Sequence, residues 1–342
     1  MTKAIALLAT FLAAPLLAAQ RAPSGTIVAS NMDAHSASIV DVASGRTITT
    51  IQTGEGPHEV AISPNGRRAV VAIYGNRNAV GSSLMVIDLT APTAPPKIVE
   101  LGAGNQRPHG LAFLADNASL LVTGERAQRV LVVNVDNGMI DSSMSTKQPT
   151  THMVSLSRDY TRAFTTNIVG MSVSAIDVPS RTVRATFQVG ARIEGISVTP
   201  DGREVWVGGN ESHLVYVLNG TTGDVMHKLE GFGMAYRVGI TPDGRTAVIS
   251  DPGSEKIHIA DVATHTVRTV IDVAPMSASD GAAPVPSSPQ GVAMSRDNAT
   301  AYVTLKAVAK VAVVDLKRGA IVKYLPVGAG SDGVGYSPIV VK

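Results

Sequence analysis

Three of the eight histidines in this 342-residue chain occupy equivalent places in neighbouring repeats: His58 in Pro57-His58-Glu59-Val60, His109 in Pro108-His109-Gly110-Leu111 and His152 in Thr151-His152-Met153-Val154. The following repeat carries a carboxylate there instead, Glu194 in Ile193-Glu194-Gly195-Ile196. Imidazole nitrogens with one carboxylate make a donor set for zinc, copper or iron. Three readings fit. His58, His109, His152 and Glu194 converge on one divalent transition metal (Cu, Zn or Fe); or they line a wet opening, where imidazole fills space and bridges water; or the same ring holds a polar organic ligand or cofactor.

The elements that must position these residues follow from the repeat. Further copies begin Ala235-Tyr236-Arg237-Val238, Pro289-Gln290-Gly291-Val292 and Ser331-Asp332-Gly333-Val334. The second residues, at 58, 109, 152, 194, 236, 290 and 332, are 51, 43, 42, 42, 54 and 42 residues apart. A period near forty belongs to a propeller or solenoid. Each copy shows four β-branched runs, such as Val60-Ala61-Ile62, Ala69-Val70-Val71-Ala72, Leu84-Met85-Val86-Ile87 and Lys97-Ile98-Val99-Glu100, which read as strands. Pro64-Asn65-Gly66, Pro200-Asp201-Gly202 and Pro242-Asp243-Gly244 are tight-turn signals between the first and second strands. The third strand ends in Asp41, Asp88, Asn134, Asp177, Asn219, Asp261 or Asp315, which predicts Asx turns into the fourth. The N-terminal part supplies three strands of a blade, and Asp332 to Ser337 offers its missing first strand. The expected fold is all-β: a seven-bladed β-propeller of four-stranded blades, its ring closed by N- and C-terminal strands that share one blade.

Composition removes other classes. The net charge is +2, from 29 basic and 27 acidic residues with no like-charge run, so neither nucleic acid nor an anionic membrane is an expected partner. With no cysteine there is no disulfide framework, thiolate metal site or cysteine nucleophile. Lys3, the apolar run Ala4 to Ala19 and the small residues before Gln20 read as a signal peptide over residues 1–19, leaving 20–342 as one propeller domain without a membrane span. The mature chain is then periplasmic or secreted, and is expected to be a monomer whose partner is a small-molecule ligand or another periplasmic protein.

Ala301-Tyr302-Val303-Thr304 and its degenerate copies Leu121-Val122-Thr123 and Phe164-Thr165-Thr166-Asn167 resemble the YVTN repeats of the YncE-like seven-bladed β-propellers. Gly291-Val292-Ala293-Met294-Ser295-Arg296-Asp297 and Gly195-Ile196-Ser197-Val198-Thr199-Pro200-Asp201-Gly202 are similar to that family's first strand and turn. The resemblance spans residues 25 to 342. It implies a secreted or periplasmic ligand-binding propeller, with wider relatives among the propellers of haem-containing nitrite reductase and its cofactor-assembly proteins. It supplies no family-wide catalytic residue.

Function is therefore sought where the repeats differ. First strands line a propeller's channel, so His58, His109, His152, Glu194, Tyr236, Gln290 and Asp332 form a polar ring at one mouth. Two residues later stand Val60, Leu111, Val154, Ile196, Val238, Val292 and Val334, which strict strand alternation assigns to the core between blades. Further out on this face lie Asp33, His35, Arg107, Glu125, Arg126, Asn167, Arg192, Asn210 and Asp251. Of these, Arg107, Arg126 and Arg192 suit carboxylate ligands, which arginine binds bidentately, while His35 and Asn167, with Tyr236, Gln290 and Asp332 of the ring, are further ligand candidates. His213, His227, His258 and His265 read as surface residues. Two longer repeats add Gly75 to Ser82 and Pro275 to Ser288 on the ring face, as partial cover for the mouth. No nucleophile elbow, phosphate loop, Rossmann fingerprint or His-Glu-x-x-His motif is present. Two functions stay open: a non-catalytic binding or scaffold propeller, and a metal-dependent enzyme, an oxidoreductase or a lactonase- or lyase-like propeller.

Overall fold

The structure, a computed structural model, describes residues 22–278 and 281–341. The signal peptide expected over residues 1–19 lies outside them. The chain forms seven four-stranded antiparallel sheets, whose innermost strands are Pro57–Ile62, Pro108–Phe113, Thr151–Leu156, Ile193–Val198, Val238–Ile240, Pro289–Met294 and Ser331–Ser337. These contact one another in a closed ring around a central channel. We number the blades one to seven in that order. In blade seven, Ser331–Ser337 pairs with Thr26–Asn31, which is followed outward by Ser36–Asp41 and Thr47–Gln52. The two ends of the described chain thus complete one sheet, as the strand count requires. Among the described residues, no helix is long and apolar enough to cross a membrane.

The second and third strands carry apolar residues on both faces because both are buried. On Glu204–Gly209 the side chains of Val205 and Val207 pack between blades three and four, whereas Trp206, pointing the other way, packs between blades four and five. Leu120 and Val122 divide from Leu121 in the same manner. Seven apolar clusters result, one per blade interface, and each buried Val, Leu or Ile contributes about 1.5–3 kcal/mol. Outermost strands such as Thr266–Asp272 alternate between exposed and half-buried residues.

Turn chemistry holds the repeats in register. Gly66, Gly202 and Gly244 adopt φ of 78°, 67° and 74°, the left-handed region that these turns need. All seven Asp or Asn residues closing the third strands accept a backbone N–H two or three residues on, at 2.8 to 3.0 Å. Gly75 to Ser82 continues the second and third strands of blade one as a longer hairpin, with Gly75 opposite Val80. In the longer segment before blade six, the N–H groups of Ser287 and Ser288 donate to Glu255 at 2.6 and 2.9 Å, and Met276 bridges to Val285.

Candidate functional site

The YVTN-like threonines aim the ring residues. Thr166 Oγ1 accepts the Met153 N–H at 3.2 Å and donates to the Glu194 carbonyl at 2.7 Å. Thr304 Oγ1 accepts the Gly291 N–H at 2.7 Å and donates to the Asp332 carbonyl at 2.8 Å. Thr123 joins the Gly110 N–H to the His152 carbonyl, and Ser30 donates to the carbonyl of His58. In each case a buried hydroxyl of one blade fixes the backbone of the ring residue on the next.

Strict alternation fails at the start of these inner strands. In blades one, two, three, four and six a bulge separates the first residue from the fourth. A bulge turns two successive side chains away from the regular pattern, so the residue after each ring position also reaches the channel region. It is glycine in four blades, because the inner strands lie close together there. A Cβ on Gly333, Gly110 or Gly195 would come within 2.7, 2.8 or 2.7 Å of the Cα of Glu59, Met153 or Arg237 on the next blade. Those three larger residues use the space that the glycines leave. Glu59 and Arg237 are thereby brought into the site, although ring-position reasoning alone passed over both.

Arg237, 4% exposed, spans the channel. It donates to Glu194 Oε1 and, 178 residues away in sequence, to Glu59 Oε1, both at 2.8 Å. Its guanidinium also lies 4.4 Å from the ring centre of Tyr236. His152 donates from Nδ1 to Glu125 and from Nε2 to Glu194, each at 3.2 Å. Asn210 donates to the other oxygen of Glu194, and the Tyr74 hydroxyl donates to Glu125. Burial disfavours the charged imidazole of His152, but its two carboxylate partners outweigh that and raise its pKa. Burial likewise opposes ionisation of Glu194, yet Arg237 and His152 hold its pKa well below the usual range. Tyr74, half-buried and bonded to Glu125, is pushed up to about 12.

The other two histidines behave differently. His58, His109 and His152 form a stack, with ring centres 4.1 and 3.6 Å apart. Both nitrogens of His109 and Nδ1 of His58 are buried without a hydrogen-bond partner. Burial depresses both pKa values, that of His109 strongly with the His152, His58 and Arg237 charges adding to the effect, and that of His58 against the opposing pull of Asp332 and Glu59. Donor atoms of His58, Glu59 and His109 all lie within 4.8 Å of one another. Asp332 flanks this group 3.8 Å from His58 Nδ1; its Oδ2 meets Lys306 at 3.5 Å, and its Oδ1 has no partner. Neutral imidazoles beside a carboxylate can ligate a cation, whereas an unpartnered buried polar atom costs about 1–3 kcal/mol.

The structure gathers His58, His109, His152, Glu194, Tyr236 and Asp332 at one mouth. His152 and Glu194 spend their donors on each other, Glu125, Arg237 and Asn210. Gln290 keeps a buried, unpartnered Oε1. His35 pairs with Glu55 at 3.5 Å, Arg107 lies 4.7 Å from the Tyr74 ring centre, Arg126 donates to Gln106 and Arg192 pairs with Glu211. Asn167 is fully buried and used inside its own blade by Ser172, Ser174 and Thr151. His258 is a correction to the surface reading: it is 3% exposed, donates to Asp251 at 3.1 Å and packs on Phe232, because it sits on a third strand whose faces are both covered.

Fold and site together define a seven-bladed β-propeller with a charged, histidine-lined channel mouth. The family described as YNCE-like beta-propeller matches residues 2–337, and the chain belongs to that family. Among curated proteins, none matches the sequence. Similar solved structures include hydrazine synthase of Kuenenia stuttgartiensis, at 17% identity and TM-score 0.69, covering 82% of this chain and 90% of that one. A functionally unknown protein of Desulfotomaculum acetoxidans is also similar, at 12% identity and TM-score 0.73, covering 92% and 99%. At these identities the likeness concerns the fold.

Proposed function

We propose that this chain is an exported, monomeric binding propeller that holds one divalent transition metal at the ring mouth, through His58, His109 and Glu59 with Asp332 beside them. The observation that carries the reading is the pair of adjacent buried imidazoles whose unpartnered nitrogens face a carboxylate. Water would have to satisfy those nitrogens in the alternative of a merely wet mouth. Copper, zinc and iron all accept such donors. His152 acts as a positioning residue, held between Glu125 and Glu194, and Arg237 bridges Glu59 and Glu194. Three protein donors leave a tetrahedral ion one open position, where a small molecule or a group from a periplasmic protein would bind. That same open position supports the second reading, a metal-dependent oxidoreductase or a lactonase- or lyase-like enzyme.

The test is metal analysis and titration on protein purified without a histidine tag. The parent should retain one divalent ion per chain. His58→Ala, His109→Ala and Glu59→Gln should each weaken binding about tenfold or more, while His265→Ala, in the turn between the third and fourth strands of blade five, should not. Equal affinity in the His58→Ala/His109→Ala double variant and the parent would overturn the metal reading and leave an organic ligand as the occupant.

A further inference from the structure

The opposite end of the channel carries a second set of groups that the metal reading does not use. Beneath the Glu59–Arg237 pair lies a cavity of about 320 Å³, walled by Met153, Ile196, Val292 and Met294. It shares Ser197 and Ile240 with a larger cavity of about 500 Å³ at the mouth away from the histidines. The rim of that larger cavity presents Arg158 and Arg296, from blades three and six, with Tyr160, while Leu156, Val198 and Pro242 form apolar wall. The guanidiniums reach only backbone carbonyls, those of Pro242 at 3.5 Å and Ser63 at 3.2 Å. Among the described residues, neither arginine has a carboxylate partner. Two cations without carboxylate partners thus stand over a shaft whose apolar side chains lead inward to a closed ion pair.

We propose that this mouth binds an amphipathic organic anion, a carboxylate with an unbranched apolar tail. The carboxylate is taken by Arg158 and Arg296, as guanidinium forks favour. The tail runs inward past Leu156 and Ile240 towards Met153 and Met294, whose unbranched thioethers adapt to an irregular chain. The hydroxyls of Ser155 and Ser197 are engaged as acceptors of the Val198 and Ile240 N–H groups, which fixes them against the wall. Nothing in this proposal depends on a metal at the other mouth.

Equilibrium dialysis with radiolabelled decanoate tests it on the full mature chain. Decanoate should bind saturably, and 1-decanol and acetate, each lacking one half of the recognised chemistry, should bind at least about tenfold more weakly. Arg158→Gln/Arg296→Gln should cost at least about tenfold in decanoate affinity; both side chains are exposed, so the fold persists and circular dichroism will verify it. His58→Ala/His109→Ala should leave decanoate binding unchanged, which separates this site from the metal reading. Absence of saturable decanoate binding, equal affinity for 1-decanol, or full affinity in the double arginine variant would each overturn the proposal.

Discussion

Arg237 is the residue on which the charges of the ring mouth balance. Buried at 4% exposure between Glu59 and Glu194, it bridges two carboxylates from different blades with one planar cation. Removing one partner of a buried ion pair leaves an uncompensated charge and costs about 3–5 kcal/mol. Arg237→Met should therefore lower stability by that order in chemical denaturation, and Arg237→Lys, which replaces two separated donor nitrogens with one, should recover only part of it. Parent-like unfolding of Arg237→Met would show that the two glutamates are protonated or hydrated instead. Asp251 gives a pH-dependent counterpart on blade five. Its buried carboxylate accepts from His258, Ser254 and the N–H groups of Gly233 and Met234, which hold its pKa far below normal despite the opposing effect of burial. A carboxylate depressed in the folded state contributes stability above its unfolded pKa of about 3.9, and this is lost as pH falls towards the folded value. Asp251→Asn should thus melt well below the parent at neutral pH, and the gap in melting temperature should narrow below about pH 4. A gap independent of pH would assign the loss to packing instead.

At the scale of the strand, the second-strand hydroxyl is the device that couples fold to site. Thr304→Val keeps the shape but leaves the Gly291 N–H and the Asp332 carbonyl without their shared partner. The expected loss is about 1–3 kcal/mol, with a weakening of metal binding only as far as Asp332 shifts. A valine variant as stable as the parent would mean that the hydroxyl is dispensable for ring geometry. The same elements explain what could be read in advance. Ring residues were legible because each follows a Pro, Thr, Ile, Ala or Ser at a constant place in the repeat, and the turns because Asn or Asp with Gly has few alternatives. Glu59 was hidden by the bulge, since strict alternation gives its position to the other face, and Arg237 stands just ahead of the shortened inner strand Val238–Ile240, where strand alternation does not apply. One signal was available: the column they occupy is glycine in four of seven copies, Gly110, Gly195, Gly291 and Gly333, which marks close backbone approach, and charged residues in such a column must point into the remaining space. The buried place of His258 was hidden for a different reason. A third strand covered on both faces by neighbouring blades carries no polar-out pattern, so a histidine on it looks like any other.

For the whole molecule the sensitive feature is closure. Ser331–Ser337 is the innermost strand of blade seven, paired with Thr26–Asn31, every residue of which is buried. Val334 and Tyr336 pack between blades six and seven, and Val341 with Ile339 packs between blades seven and one. Each fully buried apolar side chain contributes about 1.5–3 kcal/mol, so losing this segment removes an amount comparable to the net stability of a folded domain, about 5–15 kcal/mol. It also strips the partner strand to an open edge and takes Asp332 from the ring. Deleting residues 331–342 should therefore abolish the cooperative thermal transition rather than shift it by a few degrees. The Tyr336 hydroxyl donates to the Ser24 carbonyl at 2.9 Å, so the two ends run side by side, and a permutant joined by a short linker from Val341 to Ala22 and opened in the outer turn at Asn137–Gly138 should fold like the parent. That variant separates loss of the strand from intolerance of new ends. A deletion variant melting like the parent in calorimetry would show that six blades and three strands suffice, and that the shared blade does not close the ring energetically.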